Sequence, residues 1–410
     1  MNWDNKFSID AGAIKASEIR ELLKILADPS VLSFAGGIPD PALFPLDQVE
    51  RIEKNLQADP ERNRQALQYS QTEGYRPLRN WIAGRHATAQ IALEADNVLV
   101  TNGAQQSLML LASALINAGD GLAVANPTYL GALQVFGTRR PVYKTIDTDG
   151  DGLIMDSLEG AFKSGVKLLY TIPDFQNPGG ISLPLDRRKQ IIALAHRHDV
   201  IILEDAAYRS LYYDTPPPPS LLELDGLHLG PNQWWDRGRV IQLGTTSKTL
   251  MPGLRVGWTI APAALLDRLV LLKQASDLHT STHNQILAHE LSTSILDSHV
   301  QALRRVYGER RDAMVAALRR HLPNDAHFSE PKGGMFVWLT LPAGMDAKLL
   351  LEKALAEEKL AFVPGAAFHA LGGGENTLRL SFATCPPDAI EDGMRRLANL
   401  ISREHLAKAA

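Results

Sequence analysis

Lys248 sits in the segment Gly244-Thr-Thr-Ser-Lys-Thr249, and Pro252-Gly-Leu-Arg-Val-Gly-Trp258 follows closely. A lysine among hydroxyls with an arginine nearby points to a bound phosphate. It is not the nucleotide P-loop, because Ser247 rather than glycine precedes the lysine and no second glycine stands in register. No G-x-G-x-x-G occurs, so a dinucleotide fold is unsupported. The set suits a phosphorylated aldehyde instead. The lysine amine would condense with the aldehyde, while Thr245, Ser247 and Arg255 hold the phosphate through charge-assisted hydrogen bonds. Taken alone, Lys248 reads more readily as an ordinary surface lysine.

Other segments carry compatible chemistry. Glu204-Asp-Ala-Ala-Tyr208 offers a carboxylate that would keep a pyridine nitrogen protonated, making the ring an electron sink. Tyr208 would reach the ring's phenolate oxygen. The ordinary reading of Asp205 is a helix N-cap. In Pro173-Asp-Phe-Gln-Asn-Pro-Gly-Gly180, Asn177 would bond the same ring oxygen, or the segment is simply a turn. Within Thr101-Asn-Gly-Ala-Gln-Gln106, Gly103, Ala104 and Gln105 would open a helix with free N–H groups, an anion site. Tyr129 in Asn126-Pro-Thr-Tyr129 would stack on the ring, or is a core aromatic.

These segments need elements to position them. Leu122–Ala125, Val166–Ile172, Val200–Leu203 and Val240–Leu243 are short runs apolar on both faces, as strands of a covered, mostly parallel sheet should be. Leu108, Leu111, Ala112 and Leu115 make one helix face between them. Ligands of such sheets bind beyond the carboxyl ends of the strands, where the segments above lie. Ser17 caps an expected helix over 17–27, with Ile19, Leu22, Leu23 and Leu26 on one face. A long helix is expected from Asp297 to His321, and Met335–Leu339 and Thr377–Ser381 read as further strands. Pro216 to Pro219 form a stiff loop within one sheet rather than a linker.

At 410 residues the chain exceeds the ~100–200 of one domain, so two are expected. A net charge of −4 gives no reason to expect nucleic acid or an anionic membrane as partner. One cysteine, Cys385, excludes an internal disulfide, and the polar start Met1–Lys6 lacks a secretory pattern. With no apolar run long enough to span a bilayer, a cytoplasmic protein is the economical expectation.

Together the motifs resemble the fold-type I aminotransferases, class I/II, in the group holding 2-aminoadipate and kynurenine aminotransferases. The motifs are Phe34–Pro39, Tyr69 to Leu78, Thr101–Gln106, Asn177-Pro-Gly179, Asp205 to Tyr208, Ser247-Lys248, Arg255 and Leu378-Arg-Leu-Ser381. The resemblance implies pyridoxal 5'-phosphate as cofactor, an α/β fold with a mostly parallel central sheet covered on both faces, and a smaller α+β domain. It implies a large cofactor domain over 45–295 and a discontinuous small domain from 1–44 and 296–410. It makes Lys248 the cofactor-linked lysine and general base, pairs Asp205 with the pyridine nitrogen, and puts Asn177 and Tyr208 at the ring oxygen. Arg255 and Ser247 would bind phosphate; Thr245 stands where relatives often have serine. Arg379 would grip the substrate α-carboxylate as a bidentate fork, assisted by Asn177, beside Gly37. Tyr75 would cross a homodimer interface to the partner's phosphate. Arg20 would reach a distal substrate carboxylate, or it is a solvent-facing helix residue. The expected reaction is ping-pong transamination between an L-amino acid (2-aminoadipate, glutamate, leucine-like or aromatic) and a 2-oxo acid such as 2-oxoglutarate.

Two rivals stand beside this reading. One is another reaction on the same scaffold, a lyase or decarboxylase. The other is a cofactor-sensing regulatory module, which the short stretch ahead of the enzyme motifs disfavours. Other features are read as structural. His279 and His283 stand at i, i+4 and could share a helix face, but no H-E-x-x-H pattern supports a metal. His196-Arg-His198 reads as a solvated helix end. Arg304, Arg305, Arg310, Arg311, Arg319 and Arg320 read as a solvated helix face.

Overall fold

The computed structural model describes residues 3, 5–13, 28 and 30–409; the expected helix over 17–27, with Arg20, lies outside them. Seven strands build the central sheet: β1 (Val98–Asn102), β2 (Gly121–Ala125), β3 (Val142–Ile146), β4 (Leu168–Thr171), β5 (Ile201–Asp205), β6 (Val240–Thr245) and β7 (Val256–Ile260). Their order is β1-β7-β6-β5-β4-β2-β3. Every neighbouring pair is parallel except those of β7, which runs antiparallel to both β1 and β6.

Side chains alternate across this sheet into two cores. Leu99, Leu122, Val124, Leu168, Leu203 and Leu243 join one core with helix Ala104–Leu115. Val98, Val100, Ala123, Leu169, Ile202 and Val240 join the other, with helices Arg76–His86, Leu185–His198 and Thr282–Ser294. Both faces are therefore covered, which is why these strands read as continuous apolar runs. The exception is β3. It lies at the sheet edge with Lys144 in its middle, alternates exposed and covered residues, and so lacks that signature. The sequence reading also missed β1, which ends in the polar pair Thr101-Asn102, and β7, which Gly257 and Thr259 interrupt.

A four-stranded antiparallel sheet lies further along the chain, ordered β8 (His327–Phe328), β9 (Phe336–Thr340), β11 (Thr377–Ser381), β10 (Val363–Pro364). Leu32–Ser33 pairs in parallel with Leu360–Ala361, tying the early segment to this part. The helix expected from Asp297 spans Leu296–His321 and packs against the last helix, Pro387–Ala409.

Its arginines need a correction. Arg305, Arg319 and Arg320 are exposed, but Arg310 pairs with Asp40 at 2.7 Å, and Arg304 lies 3.5 Å over the Tyr212 ring. Arg311 donates to the Pro331 carbonyl at 2.7 Å. Half of the supposed solvated face thus holds neighbouring segments in place. His196 is corrected too, since it sits in the last turn of its helix bonded to buried Asp225 at 2.6 Å and stacked on His228. The Pro216–Pro219 loop stays within the main body, where the carbonyls of Pro218 and Pro219 accept from Arg188 and Arg209. No helix among the described residues is long and apolar enough to cross a membrane.

Candidate active site

The topology brings the chemistry to one edge of the large sheet. Strands β1, β2, β4, β5 and β6 all run the same way, so the residues after them emerge together. These are Gly103, Tyr129, Asn177, Asp205 to Tyr208, and Lys248. Because β7 is antiparallel, the residue before it arrives at that same edge, and that residue is Arg255.

There the structure forms a cavity of about 300 Å³ lined by Gly36, Gly37, Ile38, Ala104, Gln105, Leu108, Tyr129, Ile172, Asn177, Asp205, Ala207, Tyr208, Thr245, Ser247, Lys248, Pro252, Arg255 and Arg379. It joins nearly all the residues singled out from sequence. Gly103 lies just behind its wall. It takes a positive φ of 71°, and a Cβ there would stand 2.5 Å from the Arg255 guanidinium. The positive φ is what favours glycine here, and the nearby guanidinium adds to that preference. Tyr75 does not line this chain's cavity; it faces a separate surface cleft with Arg62, Tyr69 and Ile286.

Lys248 donates from Nζ to the Gly37 carbonyl at 3.0 Å and has no carboxylate within bonding distance among the described residues. Loss of solvation in the cavity, and then the nearby charges of Arg379 and Arg255, lower its pKa to about 8, opposed only by Asp205. Asp205 is buried and ends β5, so it is not a helix N-cap. It accepts from the Tyr170 hydroxyl at 2.9 Å and from the Ala207 N–H at 3.2 Å. Burial raises its pKa, and these two donors and Lys248 hold it down.

Arg379 comes from β11. It donates to Asn177 Oδ1 at 2.8 Å and to the Ala35 carbonyl at 2.9 Å, and its guanidinium lies 4.3 Å from the Phe336 ring centre. Its Nε is buried and unpaired. Burial lowers its pKa to about 10, which leaves it charged at neutral pH. Gly37 packs on it: a Cβ there would stand 3.1 Å from Phe336 and 3.6 Å from Arg379. Asn177 also points its amide at the Tyr208 hydroxyl, 3.5 Å away. Thr245 donates to Ser247 at 2.9 Å and accepts from the Ser247 N–H, which fixes the loop before Lys248.

The cavity thus sets three cations, Lys248, Arg255 and Arg379, against one carboxylate, Asp205. Neither arginine has a carboxylate partner among the described residues. Such an excess of positive charge suits a ligand with two separate anionic groups, a phosphate and a carboxylate. The buried carboxylate suits a cationic ring nitrogen, since an isolated buried charge is otherwise costly. The residues present therefore fit pyridoxal phosphate together with an amino acid.

Tyr170 is the site residue that the sequence reading missed. It lies inside an apolar strand and reads there only as core. The available signal was the hydroxyl itself, since a fully buried tyrosine needs a partner. His279 and His283 are corrected: His279 precedes helix Thr282–Ser294, so the two do not share a helix face. His283 instead bonds Glu53 at 3.1 Å. No group of three or more potential metal ligands occurs among the described residues.

The family model for aminotransferase class I and II matches residues 42–397. A 2-aminoadipate transaminase from Thermus thermophilus is 42% identical to this chain, over 98% of each protein. An aromatic-amino-acid aminotransferase from Thermococcus litoralis is 40% identical, over 98% of this chain and 96% of that one. The crystal structure of an α-aminoadipate aminotransferase from Thermus thermophilus, complexed with N-(5'-phosphopyridoxyl)-L-leucine, superposes with a TM-score of 0.91 at 40% identity. It covers 99% of this chain and all of that one.

Proposed function

The chain belongs to the class I and II aminotransferases, pyridoxal-phosphate-dependent enzymes, and from that premise we propose that it moves amino groups between 2-aminoadipate, glutamate, leucine-like or aromatic L-amino acids and 2-oxo acids such as 2-oxoglutarate by a ping-pong sequence. The observation that carries this reading is the cavity in which three cations face one buried carboxylate.

When bound, pyridoxal phosphate supplies a ring that accepts the electron pair freed at the amino acid Cα. Gly103, Ala104, Gln105, Ser247 and Arg255, with Thr245 bracing the loop, would hold its phosphate through helix-terminal N–H groups and a guanidinium. Asp205 would hold the ring nitrogen protonated. Asn177 and Tyr208 would orient the ring oxygen, and Tyr129 would cover the ring face. Arg379 would bind the substrate α-carboxylate, keeping Cα within reach of the Lys248 amine. With a pKa near 8, that amine is neutral in a far larger fraction at neutral pH than an ordinary lysine, so it can take up the Cα proton and return it.

Tyr75, away from its own cavity, would serve a partner's cofactor in a homodimer. We also assign residues 45–295 to a large cofactor domain and 1–44 with 296–410 to a small one, in the cytoplasm. Arg20 would bind a distal carboxylate. The test is a screen of amino donors against 2-oxoglutarate with wild type and Arg20→Ala. We expect turnover with both dicarboxylic and apolar donors, and a loss of about tenfold in Arg20→Ala confined to dicarboxylic ones. Equal losses in both classes would give Arg20 a structural role. Turnover of donors without any 2-oxo acid would favour a lyase or decarboxylase.

A further inference from the structure

A group of side chains outside the cavity ties down the turn that forms one of its walls. Gly103 is the single residue between β1 and helix Ala104–Leu115, and the chain turns there through a positive φ of 71°. The residues on either side of it are clamped. The Asn102 side chain donates to Asp277 Oδ2 at 2.7 Å, and the Gln106 side chain donates to the same oxygen at 2.8 Å. Gln106 Oε1 in turn accepts from the Asn102 backbone N–H at 2.8 Å and from Lys273 Nζ at 3.0 Å.

Lys273 is fully buried, and it grips both oxygens of Asp277, at 2.8 and 2.9 Å. Burial lowers its pKa while Asp277 opposes the shift, which marks the carboxylate as the counter-charge of a desolvated amine. Arg255 is referenced to the same point, since its guanidinium donates to the Asn102 carbonyl at 3.3 Å. Asp277 does not line the cavity.

We propose that Asp277 is a positioning residue for the phosphate end of the cofactor site: through Asn102 and Gln106 it holds the Gly103 turn and Arg255 in the shape that receives a phosphate. The inference rests on the assignment of Gly103–Gln105 and Arg255 to the phosphate. Its signature is selectivity. The ring end of the site is built by Asp205, Asn177, Tyr208 and Tyr129, none of which bonds to the Asp277 group. Loosening the turn should weaken a phosphorylated ligand and spare its dephosphorylated form.

The experiment measures the dissociation constants of pyridoxal phosphate and of pyridoxal from the apoenzyme, for wild type, Asp277→Asn and Asn102→Ala. Asp277→Asn removes the carboxylate that accepts both amides. Asn102→Ala removes one arm and keeps the Lys273–Asp277 pair, so it decides the matter if the first variant fails to fold. We expect each variant to weaken pyridoxal phosphate about tenfold, the scale of one charge-assisted hydrogen bond, and pyridoxal by less than about twofold. Equal weakening of both ligands, or no change in either, would overturn the proposal. A wild-type apoenzyme that binds the two ligands equally would instead overturn the phosphate assignment itself.

Discussion

Lys248 and Lys273 are both enclosed by protein, yet their surroundings are opposite. Lys273 has both Asp277 oxygens and a glutamine carbonyl oxygen in bonding range of its amine. Lys248 has one backbone carbonyl, faces the cavity, and has two arginines nearby. A neighbouring pair of carboxylates repeats the contrast. Glu204 accepts from Leu221 N, Leu222 N and Gln242 Nε2, which caps helix Leu221–Leu229 from β5. Asp205, the next residue, faces the other side of the strand and opens onto the cavity. A buried charge with its partners in place supports the fold, whereas one left short of partners is poised for a ligand.

The contrast between the lysines should appear first in turnover. Lys248→Ala is expected to lower kcat by about a thousandfold or more, the scale of a lost general base that also carries the cofactor. Lys273→Met should act on stability instead, lowering it by about 1–3 kcal/mol, since it strands a carboxylate that had a buried cation. Steady-state rates and chemical denaturation of both variants would show it. A Lys273→Met enzyme as inactive as Lys248→Ala would erase the distinction.

The carboxylates come next. Asp205→Ala should slow Cα proton exchange about a hundredfold while the fold survives. Glu204→Gln should keep exchange within about threefold and reduce stability by about 1–3 kcal/mol, because an amide cannot accept from all three donors. Hydrogen–deuterium exchange at the substrate Cα, followed by NMR, separates the two outcomes.

A smaller effect sharpens the lysine comparison through pH. With its folded pKa lowered to about 8, the Lys248 amine in the apoenzyme should react with acylating reagents along a curve centred there. Lys273 should stay unreactive. A lysine whose folded pKa is depressed disfavours the fold while protonated, and that penalty is relieved as pH rises from about 8 toward the ordinary value near 10.4. Lys248→Met should therefore remove this rise in apoenzyme stability between about pH 8 and 10.

Much of this site was legible in the sequence because of how the sheet is built. Parallel strands deliver their following residues to one edge, so Asn177, Asp205 and Lys248 could be read off the segments behind apolar runs. Arg255 precedes an antiparallel strand and was found only through its motif. Tyr170 was hidden because its neighbours Leu168 and Leu169 make an ordinary apolar strand. The Lys273–Asp277 pair was hidden for a different reason. Its spacing is that of any i, i+4 pair on a helix surface, and its partners Asn102 and Gln106 lie far away in the chain. The His279 reading failed because helix Thr282–Ser294 starts after it, capped by Ser281. Periodicity alone did not register that boundary.

The central claim is that Lys248, among all the lysines here, carries the cofactor. Reducing the pyridoxal-phosphate-loaded enzyme with borohydride and mapping the product by peptide mass spectrometry tests it directly. The phosphopyridoxyl mass is expected on the peptide containing Lys248 and on no other lysine. The same mass on Lys273 or on a surface lysine, with Lys248 unmodified, would contradict it.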